Sequence, residues 1–395
     1  MKIALFNSLF PPIGIGGSEM SVYYLAKGLV ELGHTVRVFS QSDSNVDSID
    51  SYDGIDILRL GSPAGYEPNI YAQPKLVQEY KRTQSGKAPN LSEGYAQHLK
   101  DFSPNIIHTN VIGDLRGIWR LANAHGIGIV HTLRSYSLIC HRRMLKGSQP
   151  CVRQCRDCAL SGARQKARDE SSIVNGLVGI SEHILNVHLH AGWFSNTKQT
   201  ATIGNSYQTN SNISSSVTKP YDFGYIGRLH ETKGLAQLLE SIHQINKNSS
   251  QKHRLLIAGT GNAEYVKRLR RLYEGEYIVF SGFVTPDSFF EQIKFCVVPS
   301  LWYEPFGRVF IESLHHGVPV IGSKRGGGSE ILTHETGWLF EPESNELDSR
   351  LKESLDLTEE DYLAMCQQCL KASENYSVQS IARQYETFYE KVLIG

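Results

Sequence analysis

The chain has 395 residues, too many for one ordinary core and about right for two domains of roughly 200 residues each. It is 40% hydrophobic and 20% charged, a soluble globular composition, and its 40 Lys+Arg against 40 Asp+Glu exclude a dedicated nucleic-acid binder on bulk charge. No apolar run approaches the ~20 residues of a membrane span. The zero net charge hides an asymmetry: residues 1–205 carry 21 Lys+Arg and 16 Asp+Glu, a net of +5, and the remainder carries 19 and 24, a net of −5.

The opening KIALFNS (residues 2–8) is expected to be a buried strand. Asn7 and Ser8 break its apolar run and Pro11-Pro12 stop it, so a core strand explains it better than a signal peptide, and a cytoplasmic location is expected. A loop with Gly14, Gly16 and Gly17 follows, then a helix from Ser18 to Leu32, a stop at Gly33, and a strand at Thr35–Phe39. This strand–loop–helix–strand order is the unit of a parallel sheet. Residues 61–104 read as an irregular excursion with Pro63, Pro68, Pro74 and Pro89. The alternation resumes with strands at Asn105–His108, Gly128–His131 and Ile173–Ile180, a helix at Gly117–Ala124, and a helix from about Glu182.

Residues 206–220 are polar, lack apolar periodicity, and read as a linker between a first domain, 1–205, and a second, 221–375. The second domain shows a strand at Phe223–Ile226, a helix at Gly234–Ile245, a strand at Arg254–Ala258 and a helix at Ala263–Leu272. Further elements fall at Ile278–Ser281, Pro286–Ile293, Phe295–Val298, Val309–His316 and Val318–Ile321, with a late strand near Trp338–Phe340. Residues 376–395 are expected to form a helix returning to the first domain.

The most informative stretch is 299–343. Glu304 precedes Pro305-Phe306-Gly307 and belongs on a loop, and Glu312 falls in the following helix. Eight residues of helical rise span ~12 Å, comparable to the distance from the sugar to the ribose of a nucleotide-sugar. The helix N-terminus near Gly307 and Arg308 lies between them, where free N–H groups favour a diphosphate. In GYIGRLHETKGL (residues 224–235), Arg228 and Lys233 lie on the loop between a strand and a helix. Two cations there can neutralise a diphosphate without a metal.

The segments GGSE (16–19), GYIGRLHETKG (224–234), AGTGN (258–262), SGFV (281–284), EPFGRVFIESLHHGVPVIGS (304–323) and GGGSEI (326–331) resemble the GT-B retaining glycosyltransferases of family 4 (glycosyl transferases group 1), in that family's order over nearly the whole chain. The resemblance implies an α/β fold of two Rossmann-like, doubly wound domains with an interdomain cleft. It also implies transfer from a nucleotide-diphosphate sugar to a glycan or lipid-linked acceptor, with retention and without a catalytic metal. Carried over by residue, Glu304, Arg228 and Lys233 are the catalytic set. Gly16, Gly17, Gly259, Gly261, Phe283, Val284, Phe306, Gly307 and Glu312 bind the donor. Glu19 faces the acceptor side. Many members read T-L-H-D-Y where residues 132–136 here are Thr-Leu-Arg-Ser-Tyr, so Arg134 stands at the histidine position. It does not deprotonate and cannot act as a base, but it can bind a phosphate or an acceptor hydroxyl. His108 and His131, at strand ends, are expected to be structural.

Four of seven cysteines, Cys140, Cys151, Cys155 and Cys158, fall within 19 residues. In a cytosolic chain that density reads as a structural Zn2+ site before disulfides, with reduced thiols as the third reading. Residues 141–168, within the Cys-rich insertion 140–168, hold eight Lys/Arg against Asp157 alone. They suit either a solvated loop or a docking surface for an anionic lipid headgroup, hence a peripheral contact with the inner membrane's cytoplasmic face. Two other classes compete with the transferase: a catalytically inactive GT-B binding protein, and an NAD-dependent Rossmann enzyme, which would need a third glycine where Glu19 stands.

Overall fold

The structure is a computed structural model. It describes residues 1–13, 16–42, 46–61, 91–111, 117–140, 145–146, 149–150, 168–208 and 218–395. The chain divides into two compact units, one of Met1–Arg143, Arg153–Ser206 and Val378–Gly395, the other of Met144–Val152 and Tyr207–Ser377.

The first unit opens with β1 (Lys2–Phe6), α1 (Gly17–Glu31), β2 (Thr35–Gln41), β3 (Ser48–Tyr52) and β4 (Ile55–Leu60). It continues with α2 (Leu91–Phe102), β5 (Ile106–Thr109), α3 (Gly117–Ala124) and β6 (Gly128–Leu133). After a two-stranded antiparallel ribbon that groups with the second unit, β7 (Leu145–Lys146) and β8 (Gln149–Pro150), the first unit resumes with β9 (Gly176–Gly179), α4 (Glu182–His190) and β10 (Gln199–Thr202). The eight-stranded sheet runs β10-β9-β6-β5-β1-β2-β4-β3. Every pairing is parallel except β3 with β4. The β3–β4 hairpin adds to the expected elements. Its Asp53-Gly54 turn has φ of 51° and 76°, the two positive values that such a two-residue turn requires.

The second unit holds β11 (Tyr221–Ile226), α5 (Leu235–Asn248), β12 (Leu255–Ala258), α6 (Ala263–Tyr273), β13 (Ile278–Gly282) and α7 (Pro286–Phe290). Then come β14 (Ile293–Val298), α8 (Arg308–His315), β15 (Val320–Ser323), β16 (Gly337–Phe340), α9 (Glu346–Leu355) and α10 (Glu359–Ser373). Its six strands are all parallel, in the order β13-β12-β11-β14-β15-β16. The order reverses between β11 and β14, so the loops leaving their carboxyl ends flank the crevice where open α/β sheets bind ligands. Both fold as doubly wound Rossmann-like units.

The last helix, α11 (Val378–Ile394), belongs to the first unit. It buries Ile381, Tyr385, Phe388, Tyr389 and Val392 in that unit's core. Gly28 lets α1 approach it closely, since a Cβ there would sit 2.7 Å from the Ala382 Cβ.

Two expected boundaries move. The irregular excursion assigned to 61–104 contains α2, whose Tyr95, Leu99 and Phe102 are buried at helical spacing; residues 62–90 lie outside the described residues. The strand placed at Ile173–Ile180 starts only at Gly176. Residues 172–174 form a turn, and Asn175 joins β6 through its side chain, which accepts the Ile129 N–H at 2.8 Å. Of the 206–220 linker, residues 209–217 lie outside the described residues.

His108 and His131 are fully buried. His108 bonds the Tyr389 hydroxyl through Nδ1 and the Thr132 hydroxyl through Nε2, each at 2.7 Å. His131 bonds Thr109 at 2.8 Å and stacks on Phe194. Burial keeps both imidazoles neutral, and the Arg134 charge adds to the effect. His131 is pushed down to about 3 and the buried His188 to about 4. In the unfolded chain these groups titrate near ~6.5, so the unfolded state binds more protons below that pH. Their contribution to stability is complete above pH ~6.5 and is lost as pH falls toward their folded values. The unfolding free energy from urea titrations should therefore drop between pH 7 and pH 5, by about 2 kcal/mol for each of His131 and His188. His131→Gln should flatten that slope; an unchanged slope would show that His131 takes up its proton alike in the folded and unfolded chain.

Candidate active site

The second unit places Lys233 and Glu304 together. The strand β11 ends at Ile226, and the chain turns through Gly227, Arg228 and Leu229 into a short 3-10 turn, Glu231–Lys233. Gly234 ends that turn at φ 69°, packed so closely on the Pro299 carbonyl that any Cβ would collide with it. The loop after β14 reaches the same place. The Leu301 and Trp302 N–H groups both donate to the Thr232 carbonyl, at 2.9 and 3.1 Å. These bonds fix the loop carrying Glu304 to the turn carrying Lys233, and Lys233 Nζ lies 2.6 Å from Glu304 Oε1. Both side chains are largely buried, 23% and 16% exposed. The ammonium also sits over the Trp302 ring, 5.4 Å from its centroid.

Glu304 is held from its other side by the glycine segment after β15. The Gly327 N–H donates to the Glu304 carbonyl at 2.7 Å, and Gly326, at φ 67°, lies against the backbone of Tyr303 and Glu304. Arg325 stacks over Tyr303 and pairs with Glu341 and Glu343.

Gly307, at φ 87°, caps α8. Among the described residues, no backbone hydrogen bond uses the Phe306 or Gly307 N–H. Two donors at a helix start are thus available to an anion. The Phe306 ring itself is buried against Tyr376. Glu312, one turn into α8, pairs with Arg308, whose Nε lies 3.2 Å from Oε1. That pair was not expected, although its i,i+4 spacing signals it.

Arg228 is exposed on the loop after β11 and carries no ion pair among the described residues. Behind it, Gly259 (φ 130°) and Gly261 press on the carbonyls of Gly227 and Leu229, leaving no room for a Cβ. Both glycines keep the β12 loop against the β11 loop. Phe283 is 80% exposed just beyond β13, with Val284 beside it half-buried.

In the first unit, Gly16 is the N-cap of α1, Gly17 its first residue, and Glu19 lies in its first turn with its carboxylate folded over Gly16. The Arg134 guanidinium is held by Asn110, Nε to Oδ1 at 2.8 Å, and by the Asn205 side chain. Those asparagines were not anticipated from sequence. Cys140 is buried. Cys151, Cys155 and Cys158, the other three of the expected Zn2+ set, lie outside the described residues, as does most of the basic insertion. Among the described residues no His/Cys/Asp/Glu group has metal-site geometry.

The model for glycosyl transferases group 1 matches residues 206–375, and that for glycosyltransferase family 4 matches residues 15–156. This chain is a GT-B glycosyltransferase of group 1/family 4. It is 29% identical to an uncharacterized 42.6 kDa protein in the cps region of Klebsiella pneumoniae, covering 88% of this chain and 92% of that one. Its fold is similar to sucrose-phosphate synthase of Thermosynechococcus elongatus, with TM-score 0.74, 20% identity, and coverage of 100% and 99% of the two chains. It is also similar to Anabaena HepE in complex with UDP and glucose, with TM-score 0.70, 18% identity, and coverage of 99% and 100%.

The close packing at Gly326 gives a test of how the glycosyltransferase holds Glu304. Gly326→Ala adds both an unfavourable φ and a collision with the Glu304 carbonyl. Gly282→Ala, at φ 76° with nothing within 4 Å, adds only the φ term. Urea unfolding should show Gly326→Ala costing about 1–3 kcal/mol more than Gly282→Ala. Equal costs would mean that the Glu304 backbone gives way freely.

Proposed function

We propose that this glycosyltransferase is a retaining enzyme that moves a sugar from a nucleotide-diphosphate sugar to a glycan or lipid-linked acceptor of a cell-surface polysaccharide or lipopolysaccharide. The observation that carries the reading is the Lys233–Glu304 pair beside the free Phe306 and Gly307 N–H groups, at the carboxyl ends of the adjacent strands β11 and β14. Two amides and a cation between two carboxylates suit a ligand with a central diphosphate flanked by two hydroxyl-bearing rings. The diphosphate binds Lys233, Arg228 and the amides. Glu304 accepts from the transferred sugar's hydroxyls and Glu312 from the ribose. Gly259, Gly261, Phe283 and Val284 border the nucleotide.

As the glycosidic bond breaks, negative charge grows on the departing diphosphate. Lys233 and Arg228 stabilise it electrostatically, in a site already oriented before reaction. The neighbour with bound UDP supports a nucleotide-sugar donor. The relative from a cps region supports the cell-surface reading. Residues 221–375 form the donor side. Residues 1–205, with 376–395 returning to them, form the acceptor side, where Glu19 and Arg134 face the acceptor. The basic segment 141–168 meets an anionic headgroup at the cytoplasmic membrane face, and the nearby cysteines hold a structural Zn2+.

A thermal-shift screen against UDP-, GDP- and ADP-sugars tests the donor class. With the responding nucleotide, Arg228→Ala should lose a charge-assisted contact of roughly 1.5–3 kcal/mol, lowering nucleoside-diphosphate affinity by about one to two decades. Calorimetry showing unchanged affinity would remove Arg228 from the diphosphate. Glu304→Ala should depress turnover far more than nucleoside-diphosphate binding. A diphosphate met by side chains and amides also needs no Mg2+, so turnover should persist on brief exposure to EDTA. An absolute, immediately reversible Mg2+ requirement would overturn that charge assignment.

A further inference from the structure

We propose that Trp302 is a positioning residue for Lys233, a role that rests on the donor-site reading above. Among the described residues the Lys233 ammonium has two neighbours of different kinds. Glu304 Oε1, at 2.6 Å, takes one of its N–H donors. The Trp302 ring, 5.4 Å away, attracts the charge through its π face and consumes no N–H in a directed bond.

The distinction matters when a donor enters. Lys233 then turns to the diphosphate and Glu304 to the sugar hydroxyls, so their mutual ion pair must be exchanged for new partners. Trp302 is the contact that can persist through the exchange. It leaves the ammonium's donors available and restricts a side chain that otherwise has four rotatable bonds to order. Its placement suits this. The Trp302 N–H donates to the carbonyl of Thr232, the residue before Lys233. The indole and the ammonium are therefore tied to the same short turn, and the exchange requires no movement of one loop against the other.

The test is titration of wild type, Trp302→Leu and Trp302→Phe with UDP, GDP and ADP and with the corresponding monophosphates, after circular dichroism establishes that each variant is folded. For the diphosphate that binds wild type best, Trp302→Leu should weaken affinity by about five- to tenfold and Trp302→Phe by less than about threefold. The monophosphate should change much less. In a Lys233→Ala background, Trp302→Leu should have little further effect. Equal losses for di- and monophosphate, a Phe variant as weak as the Leu variant, or an undiminished loss in the Lys233→Ala background would each reduce Trp302 to packing. If Trp302→Leu does not fold, Trp302→Met carries the same comparison. Trp302→Leu binding the diphosphate as tightly as wild type would overturn the proposal while leaving the donor site intact. No binding of any of the three diphosphates to wild type would overturn the donor-site reading and this proposal with it.

Discussion

The second unit is organised around one carbonyl. Thr232 C=O accepts two N–H groups from the loop after β14, and through them the turn that carries Lys233 and the loop that carries Glu304 become one piece. Gly234 permits this because its missing Cβ leaves room for the Pro299 carbonyl. The glycines after β15 fasten the same loop from behind. A lysine and a glutamate that are both largely buried would be costly as isolated charges. Paired at 2.6 Å, they compensate each other, and Arg308 does the same for Glu312. Both carboxylates of the site are thus paired within the second unit. A ligand that supplies an anion for the cations and hydroxyls for the carboxylates can replace both sets of contacts without leaving a charge stranded.

The first unit solves a different electrostatic problem. Arg134 stands beside a core that contains His108 and His131. A protonated imidazole there would face both burial and a fixed guanidinium charge. The hydroxyls of Thr132, Thr109 and Tyr389 satisfy the neutral rings instead. Tyr389 comes from α11, so the end of the chain completes the polar interior of β5 and β6. Asn110 and Asn205 both accept from the guanidinium and fix its place beside that core.

Much of this was legible in the sequence. Apolar runs bounded by glycine gave most of the parallel strands, because a strand buried on both faces leaves an uninterrupted hydrophobic signature. The Glu304 and Glu312 spacing, with Gly307 between them, gave the loop and helix that carry them. What escaped was whatever depends on partners distant in sequence. The Lys233 and Glu304 contact spans 71 residues, and no local pattern announces it. The bridge of Arg134 to Asn205 spans 71 residues as well. The α2 helix was hidden for another reason, since the prolines preceding it suggested irregular chain and its Tyr95, Leu99 and Phe102 stripe is short. The β3–β4 hairpin had its signal in Asp53-Gly54, but the exposed residues of β3 lack the apolar alternation that marks a strand.

The glycines show where sequence and site meet. Gly234, Gly259, Gly261 and Gly326 are spread over 93 positions, yet each lies against a backbone segment of another loop with no room for a side chain. Their common function is to let main chain touch main chain, so that the functional side chains are placed by rigid backbone contacts instead of by other flexible side chains. This is the arrangement expected where catalysis depends on charge already oriented before the reaction. It also explains why Lys233 and Glu304 fall on loops while their positions are fixed by the sheet. The β11 and β14 strands are hydrogen-bonded neighbours, and the loops leaving their carboxyl ends begin side by side. Two backbone bonds to Thr232 are then enough to join those loops, because the sheet has already brought them into reach.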